Sequence, residues 1–429
     1  MSPATAKYKP YTSYKSSGIE WLYQIPEHWG EKRFKFIFRI EKRIAGKLGY
    51  DVISITQNGF RIKDIESGVG QLSMDYSKYQ MVEVGDFAMN HMDLLTGGVD
   101  IATYKGVTSP DYRVFTLKDK ECDERYLLYV MRLCFSAHIF YAHGQGSSHL
   151  GRWRFPTDNF KKFCIPIPPK KEQTVIAHFL DRETARIDQL IEKKQRLVEY
   201  ASLRIEASVD RAISDTSIPN TRFEYLVNRV SRPVELSEHE KLVRLGLYNR
   251  GRGIFKKPAA DEEGMGSSDF HFIKSGDLII SGQFAWEGAV AMATEEEAGC
   301  VVSHRYPVYR AVLGVNTAYL LGFLRTKLGD FLLNDCSRGS AGRNRPLNTW
   351  RLGKEKIPVP ENELQEEVER AVVAHRKIKA KTEASIRKLN EFRSALITAA
   401  VTGQIDVNEW SRRGHSDAKL DAIAKEMES

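Results

Sequence analysis

The stretch Ile165-Pro166-Ile167-Pro168 precedes a long helix-forming segment, and nearly the same residues return 192 positions later as Ile357-Pro358-Val359-Pro360. The same offset aligns a series of residues beyond the prolines: Gln173 with Gln365, Leu197 with Leu389, Glu199 with Glu391, Tyr200 with Phe392, Ser202 with Ser394, Ala207 with Ala399 and Val209 with Val401. Upstream the offset drifts by one residue, as a loop insertion would cause, and aligns Tyr126-Leu127-Leu128 with Tyr319-Leu320-Leu321 and Gly85-Asp86 with Gly276-Asp277. Such an ordered series indicates an internal repeat, so the chain is predicted to contain two copies of one unit.

A long helix is predicted after each proline stretch, because proline is not accommodated inside a helix. Apolar residues recur there at spacings near three and four, which is typical of a coiled-coil-like seam. They are Ile176, Leu180, Ile187, Ile191, Val198 and Ile205 in the first segment. The stripe of the second segment is mixed in polarity and consists of Leu364, Val368, Ala371, His375, Ile378, Thr382, Ser385, Leu389, Phe392, Leu396 and Ala399. Each segment is about 40 residues long, or roughly 60 Å of helix. Pairing the two helices buries both seams, either as a structural hairpin or dimerisation coil, or as a spacer of fixed length.

The regions before the helices are predicted to be mixed α and β. Short β-branched or aromatic runs alternate with turn residues, and an apolar helix follows in each copy, at Glu124–Tyr141 and Asn316–Asn334. The fold class is therefore α+β, with two mixed α/β domains separated by two long antiparallel helices in a pseudo-two-fold repeat. The predicted segments are an N-terminal tail (1–17), a first domain (18–169), a first long helix (170–213), a linker (214–220), a second domain (221–360), a second long helix (361–404) and a C-terminal tail (405–429).

Composition narrows the class of protein. The 429 residues are 42% hydrophobic, which is ample for sizeable cores, and no apolar run approaches the ~20 residues of a membrane span. Met1–Lys15 lacks the apolar core of a signal peptide, and the five cysteines lie far apart with no CxxC pair, so a reducing cytoplasm is expected. The formal net charge of +8 favours a polyanionic partner.

Two loops at equivalent positions of the repeat are candidates for binding DNA. Each follows the apolar helix and combines glycine, serine and arginine, which present backbone N–H groups and guanidinium forks to phosphates or base edges. A weaker second pair consists of turns that carry basic residues; both pairs are also compatible with ordinary surface loops. The candidates are Gln145, Ser147, Ser148, His149, Arg152 and Arg154 in the first loop, Arg338, Ser340, Arg343, Asn344 and Arg345 in the second, and Asn58, Arg61, Lys63, Arg250, Arg252, Lys256 and Lys257 in the turns.

No catalytic constellation stands out. The Asn/Asp-Pro-Pro-aromatic motif of adenine-N6 methyltransferases is absent, and so are the GxxxxGK[ST] phosphate loop, the GxSxG elbow and the HExxH zinc helix. Pro110-Asp111 is followed by no acidic-x-Lys at a useful spacing, so a turn is favoured over a nuclease site. The chain is predicted to carry no catalytic residue, no metal site and no cofactor of its own.

Three segments resemble the specificity subunit of type I restriction-modification systems. They are Gly18-Ile19-Glu20-Trp21-Leu22-Tyr23-Gln24-Ile25-Pro26-Glu27-His28-Trp29, the run from Ile165 to Gln173 leading into Ile187-Asp188 and Leu190-Ile191, and the run from Leu389 to Ile397 with Val401-Thr402-Gly403. The resemblance covers about residues 18–405. It departs from the family at Glu361-Asn362-Glu363-Leu364-Gln365, where Pro-Leu-x-Glu-Gln is frequent.

The resemblance implies two target recognition domains, each reading one half of an asymmetric bipartite sequence in double-stranded DNA. The helices would set the unread spacer and dock two modification subunits, which bring S-adenosylmethionine for adenine-N6 methylation. A restriction subunit would add ATP- and Mg-dependent translocation and cleavage, so this chain would supply sequence choice in phage defence and no chemistry. The candidate docking positions are Leu180, Ile187, Ile191, Val198, Ile205, Leu389, Phe392 and Leu396.

Two alternatives remain open from the residues. A non-catalytic scaffold with a dimerising helical hairpin would bind protein and would show no salt-dependent DNA binding. An orphan nuclease would require metal-dependent cleavage by the purified chain, which the missing acidic-x-Lys disfavours.

Overall fold

The computed structural model describes residues 8–56, 59–63, 75–146, 153–215, 217–339 and 345–408. The chain divides into two compact units, the first comprising Met1–Glu192 and Ile386–Ser429 and the second Lys193–Ser385. These units divide each long helix, whereas the sequence-based segments treat the helices as separate from the domains.

The first unit consists of short strands and helices followed by the start of a long helix. They are β1 (Tyr14–Ile19), β2 (Leu22–Pro26), β3 (Gly30–Arg33), α1 (Phe34–Ile37), β4 (Phe38–Glu41), β5 (Ile53–Thr56), β6 (Gly59–Ile62), β7 (Gln80–Val82), β8 (Phe87–Asn90), β9 (Val99–Ile101), β10 (Gly106–Thr108), β11 (Tyr112–Leu117), α2 (Glu124–Ser136), α3 (Ile139–Ala142), α4 (Thr157–Lys162), β12 (Cys164–Ile167) and α5 (Lys170–Ala212).

The second unit repeats this order from β3 onward and adds one short helix, α7 (Glu262–Met265). Its elements are β13 (Asn220–Arg222), α6 (Phe223–Leu226), β14 (Val227–Arg229), β15 (Leu245–Tyr248), β16 (Gly253–Lys256), α7 (Glu262–Met265), β17 (Phe270–Phe272), β18 (Leu278–Ile280), β19 (Val290–Met292), β20 (Val301–Ser303), β21 (Val308–Ala311), α8 (Thr317–Leu324), α9 (Lys327–Asp335), α10 (Thr349–Lys354), β22 (Lys356–Pro358) and α11 (Asn362–Val401), whose last part belongs to the first unit.

Strand pairing repeats as well. The four-stranded sheet has the order β4-β11-β8-β9 in the first unit and β14-β21-β18-β19 in the second, and all pairs are antiparallel. The two-stranded pairs correspond in the same way, β3–β12 to β13–β22, β5–β6 to β15–β16 and β7–β10 to β17–β20. The predicted fold class, mixed α and β with two long helices and an internal repeat, is confirmed.

The repeat extends to individual hydrogen bonds. Gly85 and Gly276 both turn the chain with positive φ, 88° and 83°, a conformation that favours glycine. The aspartate that follows each glycine accepts a backbone hydrogen bond from the strand beyond, Asp86 from Ala102 and Asp277 from Ala293, at 2.8 and 2.9 Å. The Gly-Asp pairs aligned in the sequence are therefore equivalent turns.

A buried glutamine fixes the start of each long helix. Gln173 Oε1 accepts the backbone N–H of Asp123 at 2.8 Å, and Nε2 donates to the carbonyls of Pro168 and Glu121 at 2.8 and 3.2 Å. Asp123 is the N-cap of α2, so the glutamine joins the beginnings of two helices. Gln365 makes the same three bonds in the second unit, with Asn316 N–H (2.8 Å) and the carbonyls of Pro360 (2.8 Å) and Gly314 (3.2 Å).

The long helices pair antiparallel within each unit. In the first unit the start of α5 and the end of α11 share one hydrophobic core, and Arg393 forms an ion pair with Asp188. In the second unit the end of α5 and the start of α11 share another core, with Arg211 3.1 Å from Glu367. The apolar seams predicted from the sequence are thus buried inside the units.

Candidate nucleic-acid interface

Two exposed residues of the first unit, Gln145 and Arg154, flank the first candidate loop. Gln145 and Arg154 exchange both backbone hydrogen bonds, at 2.8 and 2.9 Å, and their side chains face solvent. Arg154 is thereby held at a fixed place on the surface. Four candidates of this loop lie outside the described residues: Ser147, Ser148, His149 and Arg152.

Trp153 anchors this end of the loop. Its indole lies 5.1 Å from the Tyr141 ring, nearly parallel to it, and donates to the Tyr141 carbonyl at 2.7 Å. A Cβ on Gly144 would lie 2.3 Å from the indole nitrogen, so only glycine fits there. Burial and the charges of Arg113 and Arg154 lower the pKa of His91 to about 4, which keeps its imidazole neutral near pH 7.

The hairpin β5–β6 presents the second set of candidates in the first unit. Arg61 is exposed and Lys63 is half-buried, while Asn58 lies outside the described residues. Phe60 N–H donates to an Asp100 carboxylate oxygen at 3.2 Å, and Arg132 lies 2.8 Å from the other oxygen. The hairpin is therefore tied through Asp100 to β9 and α2.

The hairpin β15–β16 of the second unit is docked by its tip. Arg250 has a positive φ of 57°, which is uncommon for a residue other than glycine. Its N–H donates to the Glu287 carbonyl at 2.6 Å, and Gly251 N–H donates to the Gly288 carbonyl at 2.7 Å. The backbone at Arg250 is fixed while its guanidinium is exposed.

The other basic residues of this hairpin are also exposed. The Arg252 guanidinium lies 5.3 Å from the centre of the Tyr248 ring. Lys256 Nζ donates to the Glu296 carbonyl, and Lys257 makes only a backbone bond, to Arg244, in the part of the chain that the structure describes. Of the three, Lys257 has the least constrained side chain.

The loop after α9 holds its arginines in two different ways. Arg338 forms an ion pair with Asp335, which also pairs with Arg351. The Arg345 guanidinium instead lies 5.0 Å from the Trp286 ring centre. Ser340, Arg343 and Asn344 lie outside the described residues.

Two loops that sequence reasoning missed lie beside these candidates, at 91–97 after β8 and 282–288 after β18. Each begins with a side chain that caps a turn: Asn90 Oδ1 accepts two backbone N–H groups at 3.1 and 3.2 Å, and Ser281 Oγ accepts two at 3.3 and 3.1 Å. Each ends in glycine, Gly97 or Gly288. Extending the repeat alignment from Gly85-Asp86 and Gly276-Asp277 would have revealed them.

The candidate docking positions on the helices lie mostly in the cores. Leu180, Ile187, Ile205, Leu389, Phe392 and Leu396 are buried, and Ile191 and Val198 are half-buried. The six buried side chains stabilise the units and are not accessible to a partner. The exposed apolar side chains of α5 are Leu197 (45%), Tyr200 (64%) and Leu203 (51%).

Among the residues that the structure describes, no group of three or more His, Cys, Asp or Glu side chains could hold a metal ion. None of the described helices has the length and apolar character needed to cross a membrane.

Residues 29–200 match the family model described as type I restriction modification DNA specificity domain. This segment of the chain is therefore similar to that family. No curated protein matches the chain.

Solved structures resemble the chain along most of its length. A chain from work on complex assembly and conformational transition of the type I R-M system aligns with a TM-score of 0.58 and 14% identity, over 89% of this chain and 100% of that one. The type I S subunit from M. genitalium gives 0.45 and 14%, over 91% and 99%. The HsdS subunit from Thermoanaerobacter tengcongensis gives 0.45 and 15%, over 89% and 99%. The first of these shows that the fold is shared.

The family match ends inside α5, yet the second unit has the same topology as the first. The strand orders, the buried glutamines and the capped loops correspond one to one. The chain therefore carries this architecture twice, although the residues that match the family model lie in its first half.

Proposed function

We propose that the chain is the DNA specificity subunit of a type I restriction-modification complex and that each unit reads one half of a bipartite site in double-stranded DNA. The observation that carries the proposal is the repetition of one specificity-domain topology in a single chain. Two similar reading faces in one molecule serve the purpose that two subunits serve in dimeric DNA readers.

The two half-sites are expected to differ, because equivalent positions present different chemistry. Trp153 is stacked on Tyr141 in the first unit, whereas Arg345, which the 192-residue offset aligns with Trp153, lies on Trp286. A tryptophan locked into the protein and an arginine at the surface cannot make the same contact with a base. The target is therefore proposed to be asymmetric.

Partner subunits would supply the chemistry. Two modification subunits would bring S-adenosylmethionine, and a restriction subunit would bring ATP and Mg, all in the cytoplasm. The exposed face of α5 formed by Leu197, Tyr200 and Leu203 is the proposed docking surface for a modification subunit, because three apolar side chains on successive turns otherwise remain in water. The long helices would set the length of the unread spacer.

The deciding experiment is a methylome by single-molecule sequencing. Cells that express the neighbouring modification gene are compared with and without this gene, and the deletion is complemented with the wild-type gene. We expect one bipartite N6-methyladenine motif with unequal halves, lost on deletion and restored by complementation. An unchanged methylome with the modification subunit expressed would contradict the proposal and favour the protein-binding scaffold.

A further inference from the structure

Arg345 is positioned by an aromatic platform in the second unit. Its guanidinium carbon lies 5.0 Å from the centre of the Trp286 ring, a cation–π contact. The indole is itself fixed, since its N–H donates to the Gln283 carbonyl at 3.1 Å. Trp286 belongs to the loop 282–288, and Ser281 caps the start of that loop, so the indole is part of a defined turn.

The end of the same loop is held by the neighbouring hairpin. Gly288 accepts from Gly251, and Glu287 accepts from Arg250, both through backbone atoms. Three segments of the second unit thus meet around Trp286: the tip of β15–β16, the loop 282–288 and the residue that ends the loop after α9. Both Arg250 and Arg345 belong to this cluster.

Arg345 differs from the arginines around it in its partners. Arg338 and Arg351 both form ion pairs with Asp335. Over the described ranges, no carboxylate forms an ion pair with Arg345. Its donors can be used for another molecule without breaking an ion pair.

Space for a polar group lies next to this side chain. Arg338 and Arg345 line a cavity of about 420 Å³, together with Asn334 and Ser337. Ser337 is buried, and its hydroxyl has no hydrogen-bond partner among the residues that the structure describes. The neighbourhood of Arg345 therefore offers unused hydrogen-bonding capacity.

We propose that Arg345, held against Trp286, reads a guanine in the half-site of the second unit, with Trp286 as the positioning residue. The inference rests on the proposed DNA-reading function. The planar guanidinium fork matches O6 and N7 of guanine in the major groove, and stacking on the indole orients the fork before DNA arrives. At the corresponding place in the first unit, Trp153 is stacked and hydrogen-bonded to Tyr141, so this guanine contact belongs to one half-site only.

The test is the methylome of cells that carry the modification subunit and single variants of the full chain. Arg345→Ala is expected to relax one guanine of one half-site, with a roughly 5- to 100-fold loss of discrimination at that position and the other half unchanged. Trp286→Leu is expected to relax the same position to a smaller extent. Arg370→Ala, at an exposed arginine of α11 in the second unit that pairs with Glu366, is the control and leaves the motif unchanged.

Three other outcomes distinguish a failure of this inference from a failure of the proposed function. If Arg345→Ala lowers methylation evenly without changing the bases, and Arg345→Lys restores it, Arg345 contacts a phosphate and the inference is wrong. If all variants keep the wild-type motif and its extent, the inference is likewise wrong while the proposed function stands. If the wild-type chain directs no bipartite methylation, the proposed function itself fails. Thermal unfolding of each purified variant, expected to match wild type, checks the fold.

Discussion

Gln173 shows how one side chain can join the starts of two helices, α2 and α5. Its amide is buried and makes three hydrogen bonds to backbone groups. We expect Gln173→Leu to lower the free energy of unfolding by about 2–4 kcal/mol, because the backbone partners lose their bonds without gaining water.

The matched control is Gln189→Leu, on an exposed position of the same helix. Urea denaturation followed by tryptophan fluorescence measures both variants, and the control is expected to stay within about 0.5 kcal/mol of wild type. Equal stability of the two variants would show that Gln173 does not act as a clamp. Gln365→Leu is expected to have the same effect in the second unit.

His375 makes the stability of the second unit depend on pH. Burial and the charges of Arg325 and Lys379 lower its pKa to about 4. The unfolded histidine titrates near pH 6.5, so between these values the unfolded state binds the extra proton and stability falls as the pH falls. Above pH 6.5 this contribution to the pH dependence disappears.

We expect His375→Leu to flatten this pH dependence. Lowering the pH from 7.5 to 5 is expected to cost the wild type up to about 2 kcal/mol more than the variant. Urea denaturation at the two pH values measures the difference, with His178→Leu, at an exposed position on α5, as the control that keeps the wild-type dependence. Parallel losses for His375→Leu and wild type would contradict the assignment.

At the scale of elements, the periodicity of apolar residues predicted where α5 and α11 lie but not what covers them. A buried stripe has the same sequence pattern whether the chain's own strands or a partner packs on it. Leu389 and Phe392 are buried, whereas their repeat equivalents Leu197 and Tyr200 are exposed. Aligned positions thus have opposite environments, and only the structure separates core from available surface.

The exposed face of α5 leads to a prediction about assembly. We expect Leu197→Glu combined with Tyr200→Glu to weaken binding of the modification subunit at least about tenfold, because charge replaces apolar area at the centre of the contact. Co-purification and analytical ultracentrifugation measure the complex. Leu313→Glu, at a fully exposed loop position, is the control and retains assembly. Normal assembly of the double variant would exclude this face as the docking surface.

At the scale of the whole molecule, the repeat could be predicted because structural contacts fix the residues that define it. Pro168, Gln173, Asp86 and their equivalents are held by hydrogen bonds to the backbone or by tight turns, so they keep a recognisable spacing. The surface around Trp286 and Arg345 was only partly predictable. Arg345 stood out as a candidate, but Trp286 did not, since nothing in the sequence brings a residue 59 positions earlier against it.

The proposed spacer role of the helices gives the prediction that involves the entire chain. Duplicating seven residues in each long helix, 192–198 in α5 and 382–388 in α11, adds about two turns, or roughly 10 Å, to both. The added segments face each other in the antiparallel pairing marked by Asp188 with Arg393 and Arg211 with Glu367, so the pairing on either side is kept.

We expect the methylated motif to keep both half-sites and to gain about three unread base pairs, because base pairs are spaced about 3.4 Å along the DNA axis. Duplication in α5 alone mismatches the helices and is expected to abolish methylation. Single-molecule sequencing in the presence of the modification subunit reads both results. A motif with an unchanged spacer in the double duplication would mean that the helices join the units without measuring the DNA between the half-sites.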